Sequence, residues 1–319
     1  MKNPFVTNGY VSPEYFCDRE KETAKIVSLL TNENNIALIS PRRLGKTDLL
    51  RHCFGQPEIK EHYHTFIIDI YATSSVRDFV NVFGKAVLDE LRPKGKSVWS
   101  TFLNVLASLR SEITFDMNGQ PTWGIGLGAI TNPSATLDEI FSYLNNAGKP
   151  CLIAIDEFQQ ITKYADDPNI EAALRTHIQR CSNAHFVFSG SHRHLMGAMF
   201  TSPTRPFYQS VTLINLPPIS VDKYAEFCLK HFERVSKHLD TLVVTELYER
   251  FNGITSYMQK VMNILFSMTG TGEICIPSMI DTAINDLLDF SADTYDALLY
   301  QMPEKQRIVF MAIAAEGKS

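Results

Sequence analysis

Ile36-Ala37-Leu38-Ile39-Ser40-Pro41-Arg42-Arg43-Leu44-Gly45-Lys46-Thr47-Asp48-Leu49-Leu50-Arg51 is the stretch on which the fold turns. Four apolar residues read as a buried strand, a short loop follows, and Leu49-Leu50-Arg51 opens a helix. Strand, loop and helix form the context that a G-x-x-x-x-G-K-[ST] phosphate loop requires. Successive backbone N–H groups at a helix N-terminus make a ready anion site. In this reading Gly45 lets the loop approach phosphates without a Cβ, Lys46 reaches the β- and γ-phosphates, and the Thr47 hydroxyl binds Mg²⁺. The pattern departs at its first position, where Ser40 stands in place of glycine. The bland alternative is a chance Gly-Lys-Thr on a surface loop.

A second element answers the first. Cys151-Leu152-Ile153-Ala154-Ile155 is a strand-like apolar run that ends in Asp156-Glu157. Two adjacent carboxylates at the end of an apolar strand are costly unless a cation or other partners meet them. Beside a phosphate loop, Asp156 is the candidate for the magnesium shell and Glu157 for polarising the attacking water. The alternative is a strand ending in a solvated acidic turn. A third run, Phe186-Val187-Phe188, ends in Ser189-Gly190-Ser191. The C-terminal ends of parallel strands line the ligand crevice. Ser191, or else Ser189, is therefore a candidate for sensing the γ-phosphate or orienting the water.

Two further runs, Thr65 to Ile70 and Val211 to Ile214, complete the set of strands. Continuous rather than alternating apolar runs, separated by helical stretches, predict a parallel sheet covered on both faces. Helices are predicted over Glu20 to Leu30 and over Ser75 to Leu91, the latter stopped by Pro93 and Gly95. A third is predicted from Thr136, with Glu139 completing a capping box, to near Gly148. Residues 111–128 read as a β-hairpin around Asn118-Gly119, inserted into the α/β unit. After Pro217-Pro218 the pattern becomes helical: Ser220 to Leu239, Leu242 to Phe251, Ser256 to Met268, Ser278 to Leu288, and a last helix over about Pro303 to Ala314. Ile274 to Ile276 is the one strand candidate there.

The chain has 319 residues, 45% hydrophobic and 20% charged, which suits a globular protein of roughly two domains. A net charge of −5 gives no overall footprint for non-specific nucleic-acid binding. The six cysteines are scattered without a C-x-x-C pair, so reduced thiols are expected rather than zinc or disulfides. His62 with His64, and His192 with His194, have H-x-H spacing but no further ligand nearby, and zinc is not expected. The N-terminus lacks a signal-peptide pattern, and no run approaches the roughly 20 apolar residues of a membrane span. A cytoplasmic protein without a membrane partner is expected.

These motifs, in this order, resemble the archaeal-type P-loop ATPases of the AAA+ class, near its STAND branch. Phe16-Cys17-Asp18-Arg19-Glu20-Lys21-Glu22 is similar to the family's F-x-x-R-x-x-E opening segment. Ser40 to Leu50 resembles its P-R-R-x-G-K-[ST] loop, Leu152 to Ile161 its Walker B segment, and Phe188 to Met196 its G-S sensor segment. Arg205 to Ser220 is similar to its P-[LF]-Y segment, and Asn252 to Gln259 to its G-x-P-x-Y-x-x-Q lid segment, with Ser256 replacing the proline. The resemblance implies a three-layer α/β core with strand order 5-1-4-3-2 over residues 1–217, a helical lid over 218–289, and the start of a winged-helix domain over 290–319, cut short. It implies ATP and Mg²⁺ as ligands, held by residues 40–48, that is Ser40, Pro41, Arg42, Arg43, Leu44, Gly45, Lys46, Thr47 and Asp48. It places Phe16 and Arg19 against the adenine. It also implies an arginine after the P-[LF]-Y tyrosine, where this chain has Gln209-Ser210; Arg205 is the nearest substitute for a trans-acting finger.

Three functions compete at this point. One is a Mg²⁺-dependent ATP hydrolase acting as a switch, with a homo-oligomer or a partner protein as its counterpart. Another is a DNA-associated ATPase that uses the missing winged helix. The last is a non-hydrolysing scaffold with a degenerate site, which Ser40 and Gln209 favour.

Overall fold

A computed structural model describes residues 3–91, 113–115, 121–123 and 132–316. These residues divide into two compact units, one of residues 19–218 and the other of the N-terminal segment to Asp18 with the chain from Ile219 onwards. Residues 1–18, expected from sequence in the nucleotide-binding unit, cluster by their contacts with the helical one. Phe5, fully buried, packs edge-on against Phe227 and Phe266, and the Asn263 amide donates to the Phe5 carbonyl at 2.7 Å.

The unit of residues 19–218 is built on β1 (Ile36–Ile39), β2 (His64–Asp69), β5 (Cys151–Asp156), β6 (Ala184–Gly190) and β7 (Thr212–Asn215). All pair in parallel, in the order β2-β5-β6-β1-β7. Counted along the core, this is the expected 5-1-4-3-2. Strands β1, β5 and β6 are buried at every residue, as a continuous apolar run demands in the middle of a covered sheet. The edge strands β2 and β7 are only partly buried. The inserted hairpin pairs β3 (Ile113–Phe115) with β4 (Pro121–Trp123) in antiparallel register. Its Asn118-Gly119 turn, like the Pro93 and Gly95 stop signal, lies outside the described residues.

Helices α1 (Glu20–Thr31), α2 (Lys46–Phe54), α3 (Pro57–His62), α4 (Val76–Glu90), α5 (Pro133–Asn145), α6 (Ile170–Arg180) and α7 (Arg193–Thr201) complete this unit. The helix α4 buries Val76, Phe79, Val80, Phe83, Val87 and Leu88, one helical stripe, into the core. The start of α5 differs from expectation. Its cap is Asn132, whose side chain accepts from the Ala135 N–H at 3.2 Å, with Pro133 at the first helical position. Thr136 lies inside the first turn and donates to the Asn132 carbonyl.

The helical unit packs α8 (Val221–Glu233), α9 (Thr241–Arg250), α10 (Thr255–Met268) and α11 (Ile280–Phe290) around Phe232, Leu247, Met262 and Leu265. The helix expected to run to Leu239 ends at Glu233. Ser236 takes a left-handed φ of 55°, and His238-Leu239 pairs with Ile274-Cys275 as a two-stranded parallel sheet. Helices α12 (Ala292–Gln301) and α13 (Glu304–Glu316) bury no residue. No described helix is long and apolar enough to cross a membrane.

Candidate functional site

The phosphate-loop residues join the end of β1 to the start of α2. Gly45 has φ +82° and Arg43 φ +68°, so the loop turns twice through left-handed conformations before the helix begins. Ser40 is absent from the left-handed set and fully buried. Its hydroxyl donates to the Pro41 carbonyl at 2.9 Å, and its N–H donates to the Gly190 carbonyl at 3.3 Å, prolonging the β1–β6 pairing. Nothing in this backbone requires glycine at position 40, which accounts for the departure from the motif.

Lys46 is 7% exposed. Its ammonium donates to the carbonyls of Ser40 at 3.1 Å and Pro41 at 3.3 Å. Burial pushes its pKa down, the carboxylates of Asp156 and Glu157 pull it up, and Arg42 adds a small push downward. The next residue closes the site. Thr47 Oγ1 donates to Asp156 Oδ2 at 2.5 Å across 109 residues of sequence. A hydroxyl from the first turn of α2 and a carboxylate from the tip of β5 form the hard-oxygen pair that suits Mg²⁺.

Asp156 Oδ1 accepts from the Glu157 N–H at 3.0 Å, and Glu157 itself has φ +55°. Phe158 fixes this turn. Its ring is fully buried, 4.4 Å from Phe188 and 5.5 Å from Phe207 between centroids. The Glu157 carboxylate then meets two donors on one oxygen, Oε2: the Ser191 hydroxyl at 3.0 Å and the Gln159 amide. Of the two serines considered at the end of β6, Ser191 reaches Glu157, while Ser189 Oγ is buried without a partner among the described residues.

Lys46, Thr47, Asp156, Glu157 and Ser191 thus come together through the tips of β1, β5 and β6. The other candidates have surroundings of their own. Arg42 lies over the exposed ring of Tyr71, 5.7 Å from its centroid, and Asp48 pairs with Arg51 at 3.4 Å. Arg205 is tied to Glu171 of α6 in an ion pair. Burial raises the Glu171 pKa even though Arg205 opposes the shift, and Glu171 Oε2 and Arg205 Nε both lack a partner among the described residues. Gln209, with φ +52°, is exposed. Arg19 is buried with a left-handed φ and pairs with Glu22 at 3.0 Å, leaving its Nη2 without a partner. Phe16 packs edge-on against Tyr10. His192 and His194 are exposed, and no cluster of metal-ligating residues occurs among the described residues.

Gln159 and Tyr71 are not expected at the site from sequence, and Gly190 is expected only as the glycine of the G-S segment. Gln159 stands two residues beyond Glu157, close enough to fold back on it. A Cβ at Gly190 would run into Gln159 Oε1 and come within 2.6 Å of Met196.

No curated protein sequence matches the chain. Among solved structures, the Walker-type ATPase PABY2304 of Pyrococcus abyssi is similar, at 17% identity and a TM-score of 0.61, over 93% of this chain and 79% of that one. The Aeropyrum pernix ORC2 protein, in ADPNP–ADP complexes, is similar at 13% identity and 0.60, over 89% and 71%. The Aeropyrum pernix ORC1 protein, in complex with DNA, gives 13% and 0.57, over 95% and 73%. At such identities these likenesses speak for the fold alone, that of P-loop AAA+ ATPases. The model of the ATPase domain predominantly from Archaea matches residues 16–261. With that match spanning most of its length, the chain belongs to the family of ATPase domains found predominantly in Archaea, and it is an ATP-binding ATPase.

Proposed function

We propose that the chain hydrolyses ATP to ADP and phosphate in a Mg²⁺-dependent reaction, and that the nucleotide state works as a switch. The observation that carries this reading is the Thr47–Asp156 hydrogen bond, which brings the loop hydroxyl and the strand-tip carboxylate to one point. Thr47 and Asp156 would hold the magnesium ion, which supplies charge neutralisation at the phosphates when bound. The N–H groups of residues 43–47 cradle the phosphates, and Lys46 leaves the loop carbonyls for phosphate oxygens. Glu157 accepts the proton of the attacking water. Ser191, already on Glu157, orients that water or senses the γ-phosphate. Phe16 and Arg19 serve the adenine. The proposed domains keep the boundaries after 217 and after 289, with residues 1–18 counted with the helical lid by their contacts, and the lid is the moving part of the switch.

Arg205 is the proposed finger for a neighbouring copy or partner protein. An arginine finger raises phosphoryl transfer by roughly 10³–10⁵. Arg205 is held by Glu171 in this structure; without a finger at its site the chain is a slow ATPase or a nucleotide switch. Association with DNA is a second reading. It is supported by the likeness to the ORC1 protein solved with DNA, and it belongs to the winged helix proposed from residue 290 onwards.

Phosphate release and nucleotide binding test the first reading. Glu157→Gln is expected to abolish release while ATP binding survives; turnover at the wild-type rate would remove Glu157 from its role. ATP at a hundredfold excess over Kd should stabilise the protein by about 2.7 kcal/mol. Lys46→Ala should erase that gain, and an unchanged gain would count against the loop.

A further inference from the structure

We propose that Gln159 is the positioning residue that aims the Glu157 carboxylate for hydrolysis, an inference that rests on the role given to Glu157 above. Gln159 is 3% exposed and lies in the 3-10 turn Phe158–Lys163. Its Nε2 donates to Glu157 Oε2, the same oxygen that accepts from Ser191 at 3.0 Å. Two donors on one oxygen fix the carboxylate plane and leave the other oxygen for the water's proton.

The far end of the same amide is what sets this contact apart from ordinary packing. Gln159 Oε1 is buried and has no hydrogen-bond partner among the described residues. A buried amide with one end unmet is a poor way to hold a fold, because an apolar side chain of similar volume would avoid the unpaired oxygen. What the amide adds is its bond to Glu157. Strand β6 makes room for it: the place a Cβ would take at Gly190 is where Gln159 Oε1 sits. One residue later the strand supplies Ser191. The tip of β6 therefore seats one donor and provides the other. A neutral amide also orients the base without pairing with it as a cation would. Preorganisation of this kind acts on the chemical step and leaves ground-state binding alone.

The test uses the full chain with Gln159→Met and Gln159→Leu, beside wild type and Glu157→Gln. Steady-state phosphate release, ATP affinity and thermal midpoint are measured for each. The proposal expects kcat to fall about tenfold in both Gln159 variants. ATP affinity stays within about twofold of wild type, since only the chemical step is affected. The midpoint stays level or rises. An unchanged kcat overturns the proposal. So does a joint fall of kcat, affinity and midpoint, or a failure of both variants to fold, since either assigns Gln159 to the architecture. Glu157→Gln separates the two layers. If it is inactive while Gln159→Met keeps full kcat, only this inference fails. If it turns over like wild type, the role of Glu157 fails and takes the inference with it.

Discussion

Gly45 has φ +82°, with open space where a Cβ would stand. Alanine there meets only the left-handed strain, about 1 kcal/mol. Gly190 has no such φ, but a Cβ would collide with Gln159 and Met196. Overpacking of that kind costs about 1–3 kcal/mol. Denaturant unfolding should therefore rank Gly190→Ala below Gly45→Ala in stability; the reverse order would mean that the Gln159 slot is looser than it looks. The two glycines also mark the limit of reading a site from letters. Gly45 was legible because a phosphate loop has a fixed pattern. Gly190 was not, because its reason is a side chain from another strand tip. Ser40 is the converse: a mismatch in the pattern that the backbone does not feel. Gln159 left one trace, its place two residues after Glu157, but its orphaned oxygen appears only once β5 and β6 are side by side.

The helix α4 shows how an element is fastened at its start. Ser75 Oγ accepts from the Asp78 N–H at 3.1 Å, and Asp78 accepts from both the hydroxyl and the N–H of Ser74. Ser75→Ala should cost about 1 kcal/mol in equilibrium unfolding. The Ser74 hydroxyl is the main cause that holds the Asp78 pKa below its ordinary value. A carboxylate with a lowered folded pKa stabilises fully above its unfolded value, near pH 3.9, and loses that contribution as pH falls through the folded value. The stability gap between wild type and Asp78→Asn should then close as pH drops from about 5 to about 2. A gap that stays constant would detach Asp78 from the cap. Elements with strong local signals, such as β1, β5 and α4, were legible almost to the residue. The start of α5 was misplaced because Thr136 and Glu139 mimic a capping box while Asn132-Pro133 provides the real cap. The stop at Glu233 was missed because the strand at His238-Leu239 depends on a partner at residues 274–275, which no local pattern announces.

At the scale of the molecule the described residues form two hydrophobic cores with no residue in common, one in each unit. The order of the strands followed from the family resemblance, but the placement of residues 1–18 did not, because Phe5 and Asn3 find their partners more than two hundred residues away. Two cores allow two unfolding transitions, and two-state analysis then gives way to calorimetry that resolves them. Core truncations assign the transitions. Phe83→Ala should lower that of residues 19–218 and Phe232→Ala that of the helical unit, each by about 3–5 kcal/mol. A ligand stabilises what it binds, so ADP is expected to raise the first transition, and the second only as far as Phe16 contributes to the adenine. If the nucleotide state is a switch, the γ-phosphate must make a difference that the helical unit senses. ATP with magnesium, in the slow Glu157→Gln background, is then expected to raise the second transition beyond its value with ADP. Should ATP leave the second transition where ADP puts it, the helical unit does not sense the γ-phosphate, and the chain is a nucleotide-binding hydrolase without the proposed switch.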